Sequence, residues 1–257
     1  MTRICYVIPS LELGGTERQL CYLVKGLAED HQIDVVCTRR QGPLVDDMAA
    51  LGAEIHTLDG WGGWDPRARF RLRALFKRLQ PDIVHTFLFG FDLPANQAAR
   101  SAGVPVVISS RRQLATWKKA RHLHIQRRAN TMVNCIVANS RAVAEFACRQ
   151  EGANSVLFRV IYNGIEADDF VAVNSPAAAR TAMGLPDDKR VVGMVANFSP
   201  VKDHALFLAM ARCVASRRDD VHFLLCGQGP LRDEIAAAID AEGLTERFTV
   251  TNAKSNI

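Results

Sequence analysis

Lys202 stands where an apolar run, residues 191–196, has turned through 197–201 and a helical pattern is about to start at His204. A lysine in that setting is a compact point charge suited to phosphate. Asp203 can cap the helix, whose first N–H groups and positive dipole end then lie beside the lysine. A second apolar run, 221–226, ends in Gly227-Gln228-Gly229-Pro230 and a helical pattern over 231–242. Gly227 and Gly229 remove side chains where a base or ribose would approach, and Pro230 suits a first helical position. A surface lysine and an ordinary Gly-Pro turn would read the same way singly. Their succession in two consecutive strand–loop–helix units is what favours a nucleotide.

Other residues able to do chemistry lie further upstream. Gly14 and Gly15 separate a first strand, 3–8, from an amphipathic helix over 17–27, and let backbone approach a ligand. Glu17 falls in that helix's first turn, where a carboxylate either caps the helix or accepts hydroxyls. His85 lies near the carboxyl end of a buried strand, 82–87. A satisfied core histidine and a residue facing the site are both consistent with that place. The loop 59–66 carries Trp61 and Trp64, which suit stacking on a sugar, a lipid interface or packing under the loop. The helix expected over 67–79 is strongly basic.

The positioning elements alternate. Strands at 3–8, 33–38, 54–58, 82–87, 105–109, 135–138 and 160–162 are interleaved with helical patterns, which is the signature of a parallel α/β sheet. We expect a first domain over residues 1–165, a hinge over 166–188 with Pro176 and Pro186, and a second domain over 189–257. Ligands of such sheets collect at the carboxyl ends of the strands.

Composition narrows the class. With 257 residues, 48% hydrophobic and 23% charged, the chain can bury one or two cores. No run reaches the roughly 18 apolar residues of a membrane span, and the N-terminus enters a strand without an export signal. Seven cysteines without C-x-x-C spacing read as reduced thiols of a cytoplasmic protein. The net charge of +5 decides little, but its distribution matters. Residues 93–144 contain no acid, and 111–128 hold seven Lys or Arg, two histidines and Trp117. That pattern favours an anionic partner such as a membrane surface, by electrostatic attachment and not insertion. No Asp-x-Asp occurs, so the sequence makes no case for a metal bridging phosphates; metal ligands and cofactors are expected to be none.

The segments 192–204 and 225–232, with Gly14-Gly15-Thr16-Glu17 and 160–166, resemble family-four retaining glycosyltransferases of GT-B fold. The resemblance implies two Rossmann-like domains facing a cleft, the second incomplete here. It implies transfer of a sugar from a UDP- or GDP-linked donor to a lipid-linked or glycan hydroxyl, with retention, in cell-envelope or exopolysaccharide synthesis. It places Gly14, Gly15 and Glu17 over the transferred sugar, His85 near the reaction centre, and Asn197, Lys202, Gly227 and Gly229 at the donor. Lys202 would share in catalysis by stabilising the leaving phosphate.

Three departures from the family pattern stand out. Asn197 replaces an arginine. The family's Glu-x7-Glu lies beyond these residues, since Glu234 and Glu242 have the spacing but fall in a helix after the Gly-x-Gly loop. Ser109-Ser110-Arg111-Arg112 replaces a histidine motif, so Arg111 and Arg112 become candidates for an anionic acceptor or donor phosphate. The family's membrane docking would put the chain at the inner face. A non-catalytic nucleotide-binding module is the main rival. A dinucleotide-dependent oxidoreductase ranks lower, because G-x-G-x-x-G is missing.

Overall fold

The computed structural model describes residues 1–39, 42–58, 67–87, 89–167 and 175–252. Trp61 and Trp64 lie outside them. The chain divides into two units, Met1–Glu166 and Ala167–Ile257.

The first unit alternates strand and helix: β1 (Thr2–Ile8), α1 (Gly15–Leu27), β2 (His31–Cys37), α2 (Val45–Ala50), β3 (Ala53–Thr57), α3 (Ala68–Leu79) and β4 (Ile83–Thr86). It continues with α4 (Asp92–Ala102), β5 (Val106–Arg111), α5 (Ala120–Asn130), β6 (Cys135–Ala138), α6 (Arg141–Glu151) and β7 (Phe158–Val160). All seven strands are parallel, in the order β3-β2-β1-β4-β5-β6-β7. A strand covered on both faces needs apolar residues at successive positions, and β1 and β2 meet that need with Ile4–Ile8 and Ile33–Cys37. Asp34 is the polar exception within the β2 run.

Two cores follow from the two faces. On one, Leu72, Leu75 and Phe76 of α3 and Ala95, Ala98 and Ala99 of α4 pack on Val7, Val84 and Val107. On the other, Leu20 and Val24 of α1 and Met48 of α2 pack on Tyr6, Ile8 and Val35. Each large side chain buried fully in this way stabilises the unit by about 1.5–3 kcal/mol. Asp34, wholly buried on β2, accepts from Arg3 at 2.7 and 3.0 Å and pairs with His56 at 2.8 Å. Its charge is therefore compensated within the fold.

The second unit holds α7 (Pro176–Met183), β8 (Arg190–Val195), α8 (His204–Ala215), β9 (Val221–Cys226), α9 (Arg232–Ala241) and β10 (Phe248–Thr251). Its three strands are parallel, in the order β10-β9-β8. The segment expected as a hinge contains α7, which is tied into this unit. Ser175 caps it, Arg180 donates to the carbonyls of Pro186 and Lys189, and Thr249 of β10 donates to Gly184 O at 3.4 Å. Phe198, Leu225, Ile235 and Ile239 form the main core.

Candidate active site

In the first unit the strand order reverses between β1 and β4, so the loops after these two strands part and leave a crevice at their carboxyl ends. Gly14 and Gly15 open α1 beside it. Gly14 is the N-cap, extended at φ −145° and ψ 161° and with no side chain to offer. The Glu17 carboxylate folds back into the space a Cβ on Gly14 would take, whereas a Cβ on Gly15 would meet open space. Burial raises the Glu17 pKa, Glu12 adds to the rise, and Arg112 opposes it.

His85 on β4 is buried, with its Nε2 2.8 Å from Ser110 Oγ on β5. Its ring packs 4.5 Å from Phe87 and 5.7 Å from Tyr6. Burial, helped by the Arg112 charge, pushes its pKa down to about 3. At neutral pH it is an uncharged imidazole, a hydrogen-bonding group and a poor proton acceptor.

Arg111 and Arg112 part company. The sequence places both in a loop, but β5 continues through Arg111, and strand alternation sends neighbouring side chains to opposite faces. Arg111 is buried. Its guanidinium donates to Glu151 at 2.9 Å, Asp92 at 3.1 Å, Asn130 at 2.7 Å and the Ser110 carbonyl at 3.0 Å. Lys118 donates to the same Glu151 at 2.9 Å. Its donors are thus taken up inside the fold, which corrects the expectation that Arg111 binds an anionic ligand. Arg112 is half-buried and donates to Asn163 Oδ1 at 2.6 Å. Its guanidinium carbon lies 5.9 Å from the Phe87 ring centre. Among the described residues it has no carboxylate within ion-pair distance, so it remains a cation open to an anion.

These groups line a cavity of about 350 Å³ whose walls include Tyr6, His85, Phe87, Ser110, Arg112 and Asn163. One rim is fastened by Gln19 of α1, which donates to Gly164 O at 2.7 Å and accepts from Gly164 N at 3.0 Å. Ser110, Gln19 and Asn163 join the site without having been expected there. Nothing local marks them, because each is defined by a partner at least 25 residues away.

The basic run 111–128 divides as well. Lys118 is buried with Glu151, while Lys119, Arg121, Arg127 and Arg128 are exposed. Trp117, about half exposed, meets Phe89 and His122 edge-on at 5.4 and 5.5 Å, and Leu114, three residues earlier, is also exposed.

In the second unit Lys202 ends a single 3-10 turn, Pro200–Lys202, at the mouth of α8. It is exposed and makes no ion pair or side-chain hydrogen bond among the described residues. Asp203 follows in the left-handed region at φ 53°, and its carboxylate accepts from Leu206 N at 3.2 Å. Asp is among the few residues that tolerate that conformation. Asn197 is exposed on the same loop.

Gly227 and Gly229 also serve a contact within the protein. A Cβ on Gly227 would collide with the Ala196 carbonyl, and one on Gly229 (φ +153°) with the Phe198 backbone. Phe198 N donates to Gln228 O at 2.9 Å and Leu231 N to Phe198 O at 3.2 Å. The glycines let the loops after β8 and β9 lie backbone to backbone, so their missing side chains clear room for protein. Pro230 precedes α9, which begins at Arg232. Glu234 and Glu242 are exposed, and Glu242 pairs with Arg212 at 3.2 Å.

Comparison with known proteins then identifies the lineage. The model of Glycosyltransferase Family 4 matches residues 13–169, and that of glycosyl transferases group 1 matches 177–257. The chain belongs to Glycosyltransferase Family 4. It is 29% identical over 251 residues to "Putative glycosyltransferase EpsF" of Bacillus subtilis (strain 168), spanning 64% of that protein's length. Among solved structures, Anabaena Alr3699/HepE in complex with UDP and glucose matches 100% of the chain and 70% of its own, with TM-score 0.85 and 17% identity. A glycosyltransferase from Rickettsia africae ESF-5 matches 100% of the chain and 69% of its own, with TM-score 0.76 and 17% identity. The α/β fold, a seven-stranded and a smaller parallel sheet, is that of GT-B glycosyltransferase structures.

Proposed function

We propose that the protein transfers a sugar from a nucleoside-diphosphate sugar to a hydroxyl acceptor, with retention, in cell-envelope or exopolysaccharide synthesis. Lys202 carries the reading: a cation unpaired among the described residues, at the start of a 12-residue helix that follows a parallel strand. Such a helix mouth presents free N–H groups and a positive dipole end to phosphate oxygens. Support for a uridine donor comes from the UDP and UDP-glucose complexes of Anabaena HepE, and a guanosine donor stays the alternative to be tested. Lys202 and the first amides of α8 would stabilise charge on the departing diphosphate, with no metal or cofactor. The phosphate leaving on the face of attack then takes the acceptor proton. That step needs no protein base, in keeping with a His85 too weakly basic to serve as one.

The cavity of the first unit would hold the acceptor, with the neutral His85–Ser110 pair and Glu17 meeting hydroxyls and Arg112 meeting an acidic group. Exposed Trp117, Leu114 and four basic residues in 119–128 would hold the protein peripherally on an anionic membrane surface at its cytoplasmic face, at about 1 kcal/mol per basic residue. Among the described residues no helix is long and apolar enough to cross a membrane. A second reading is a nucleotide-binding protein without turnover, in which Lys202 and the first amides of α8 hold the nucleotide and no sugar is transferred. The test is release of UDP or GDP from a panel of nucleotide-sugars, with and without membrane extract, the product's anomeric configuration being read by NMR. An inverted product refutes retention. Nucleotide binding with no release under any condition selects the second reading.

A further inference from the structure

The loop bearing Lys202 is closed at its base by two rings. Phe198, the last buried residue before the 3-10 turn, and His204, the first residue of α8, stack with centroids 4.7 Å apart and an interplanar angle of 16°. Both are buried, Phe198 wholly and His204 to within 4%. Phe198 is anchored below by Leu225, Ile235 and Ile239. Its backbone also carries the two hydrogen bonds that join this loop to the Gly227–Gly229 loop. Fixing Phe198 therefore fixes both loops.

The hydrogen-bonding capacity of His204 is not what holds it there. Its Nδ1 is buried with no partner among the described residues, and burial lowers its pKa against the opposing charge of Asp203. The ring's flat face makes the contact. Between the rings lie Ser199 to Asp203, where Asp203 makes the left-handed turn that reverses the chain into α8. Without a fixed base, Lys202 and the α8 amides would sample many relative placements and lose the advantage of a preorganised site.

We infer that His204 is a positioning residue: its stack on Phe198 clamps loop 198–204 so that Lys202 and the α8 N-terminus face one phosphate group. The phosphate clause rests on the donor site proposed above, but the clamp itself does not.

The test uses the full chain with His204→Phe, His204→Ala and, as a stability control, Val221→Ala. Val221 is a buried residue at the far end of β9 from the glycine loop. Two quantities are read: amide hydrogen exchange over 197–203 without nucleotide, and affinity for UDP. We expect His204→Ala to speed exchange and to weaken UDP binding roughly tenfold, the scale of one lost charge-assisted hydrogen bond. His204→Phe keeps the stack, so its exchange stays at the wild-type rate, its affinity stays within about twofold, and its unfolding midpoint rises as the unpartnered nitrogen goes. Val221→Ala lowers the midpoint and leaves exchange and affinity in place. If His204→Ala does not fold, His204→Leu, which fills space without a flat ring, replaces it.

Equal losses in His204→Phe and His204→Ala would assign the role to a ring nitrogen and overturn the inference. Unchanged exchange in His204→Ala, or the same affinity loss in Val221→Ala, would overturn it as well. A wild-type chain that binds no UDP refutes the uridine donor site, while the exchange comparison still decides whether His204 clamps the loop.

Discussion

Substituting Gly227 by alanine probes the contact between the two loops of the second unit. The added methyl would lie inside the van der Waals shell of the Ala196 carbonyl, so one loop must withdraw by more than an ångström. Two hydrogen bonds stand in the way, Ala196 N to Cys226 O at 3.0 Å and Phe198 N to Gln228 O at 2.9 Å. Overpacking of a rigid backbone contact costs about 1–3 kcal/mol, and each weakened backbone bond about 1 kcal/mol. We expect a loss of about 3 kcal/mol, a large share of the roughly 5–14 kcal/mol typical of a unit of about 90 residues. All three tryptophans lie in the first unit, so their fluorescence does not report this loss. Urea unfolding followed by hydrogen exchange of β8 and β9 peptides does, with a midpoint lowered by about 1.5 M at a typical slope. Gly15→Ala is the matched control, since its methyl meets open space and alanine favours a helix. A Gly227→Ala chain with the wild-type midpoint would refute the backbone-to-backbone packing.

Asp203→Ala removes a cap and leaves a side chain poorly suited to φ 53°, so we expect about 1–2 kcal/mol of lost stability by urea unfolding. Asp203→Asn should lose well under half of that. Glu151→Ala strands Lys118 as a buried cation without an ion-pair partner among the described residues and leaves Arg111 with Asp92 alone, and its cost should be about 3–5 kcal/mol, read as a lower melting temperature. His85 has a folded pKa of about 3 against an ordinary 6.5, so below pH 6.5 the unfolded state binds the extra proton. Its stabilisation is therefore full above pH 6.5 and is lost as pH falls toward 3. The share lost by pH 5 is about 2 kcal/mol, and urea midpoints at pH 7 and 5 for wild type and His85→Asn measure it.

The regular elements were legible because a parallel sheet buried on both faces demands apolar runs, and β1, β2 and β9 supply them in sequence. Lys202 and Asp203 were legible for a related reason: capping and strand-to-helix turns are local chemistry. What escaped notice depends on distant partners. Ser110 and Arg111 look like a polar loop until Asp92 and Glu151, 19 and 40 residues from Arg111, complete their surroundings and let β5 extend. The glycines of 227–229 announced a close approach by a base or ribose, whereas the protein contact they also make, with the loop after β8, depends on residues about 30 positions away. His204 looked like an ordinary helix start, and only the folded chain brings Phe198 beneath it.

The central claim is that the second unit binds a nucleoside diphosphate through Lys202. Calorimetric titration of the chain with UDP and with GDP, repeated on Lys202→Ala, tests it most directly. The account predicts saturable binding of one of the two, weakened at least tenfold in the variant by loss of a charge-assisted phosphate contact. Binding of equal strength in wild type and Lys202→Ala, or no binding of either nucleotide by the folded chain, would contradict it.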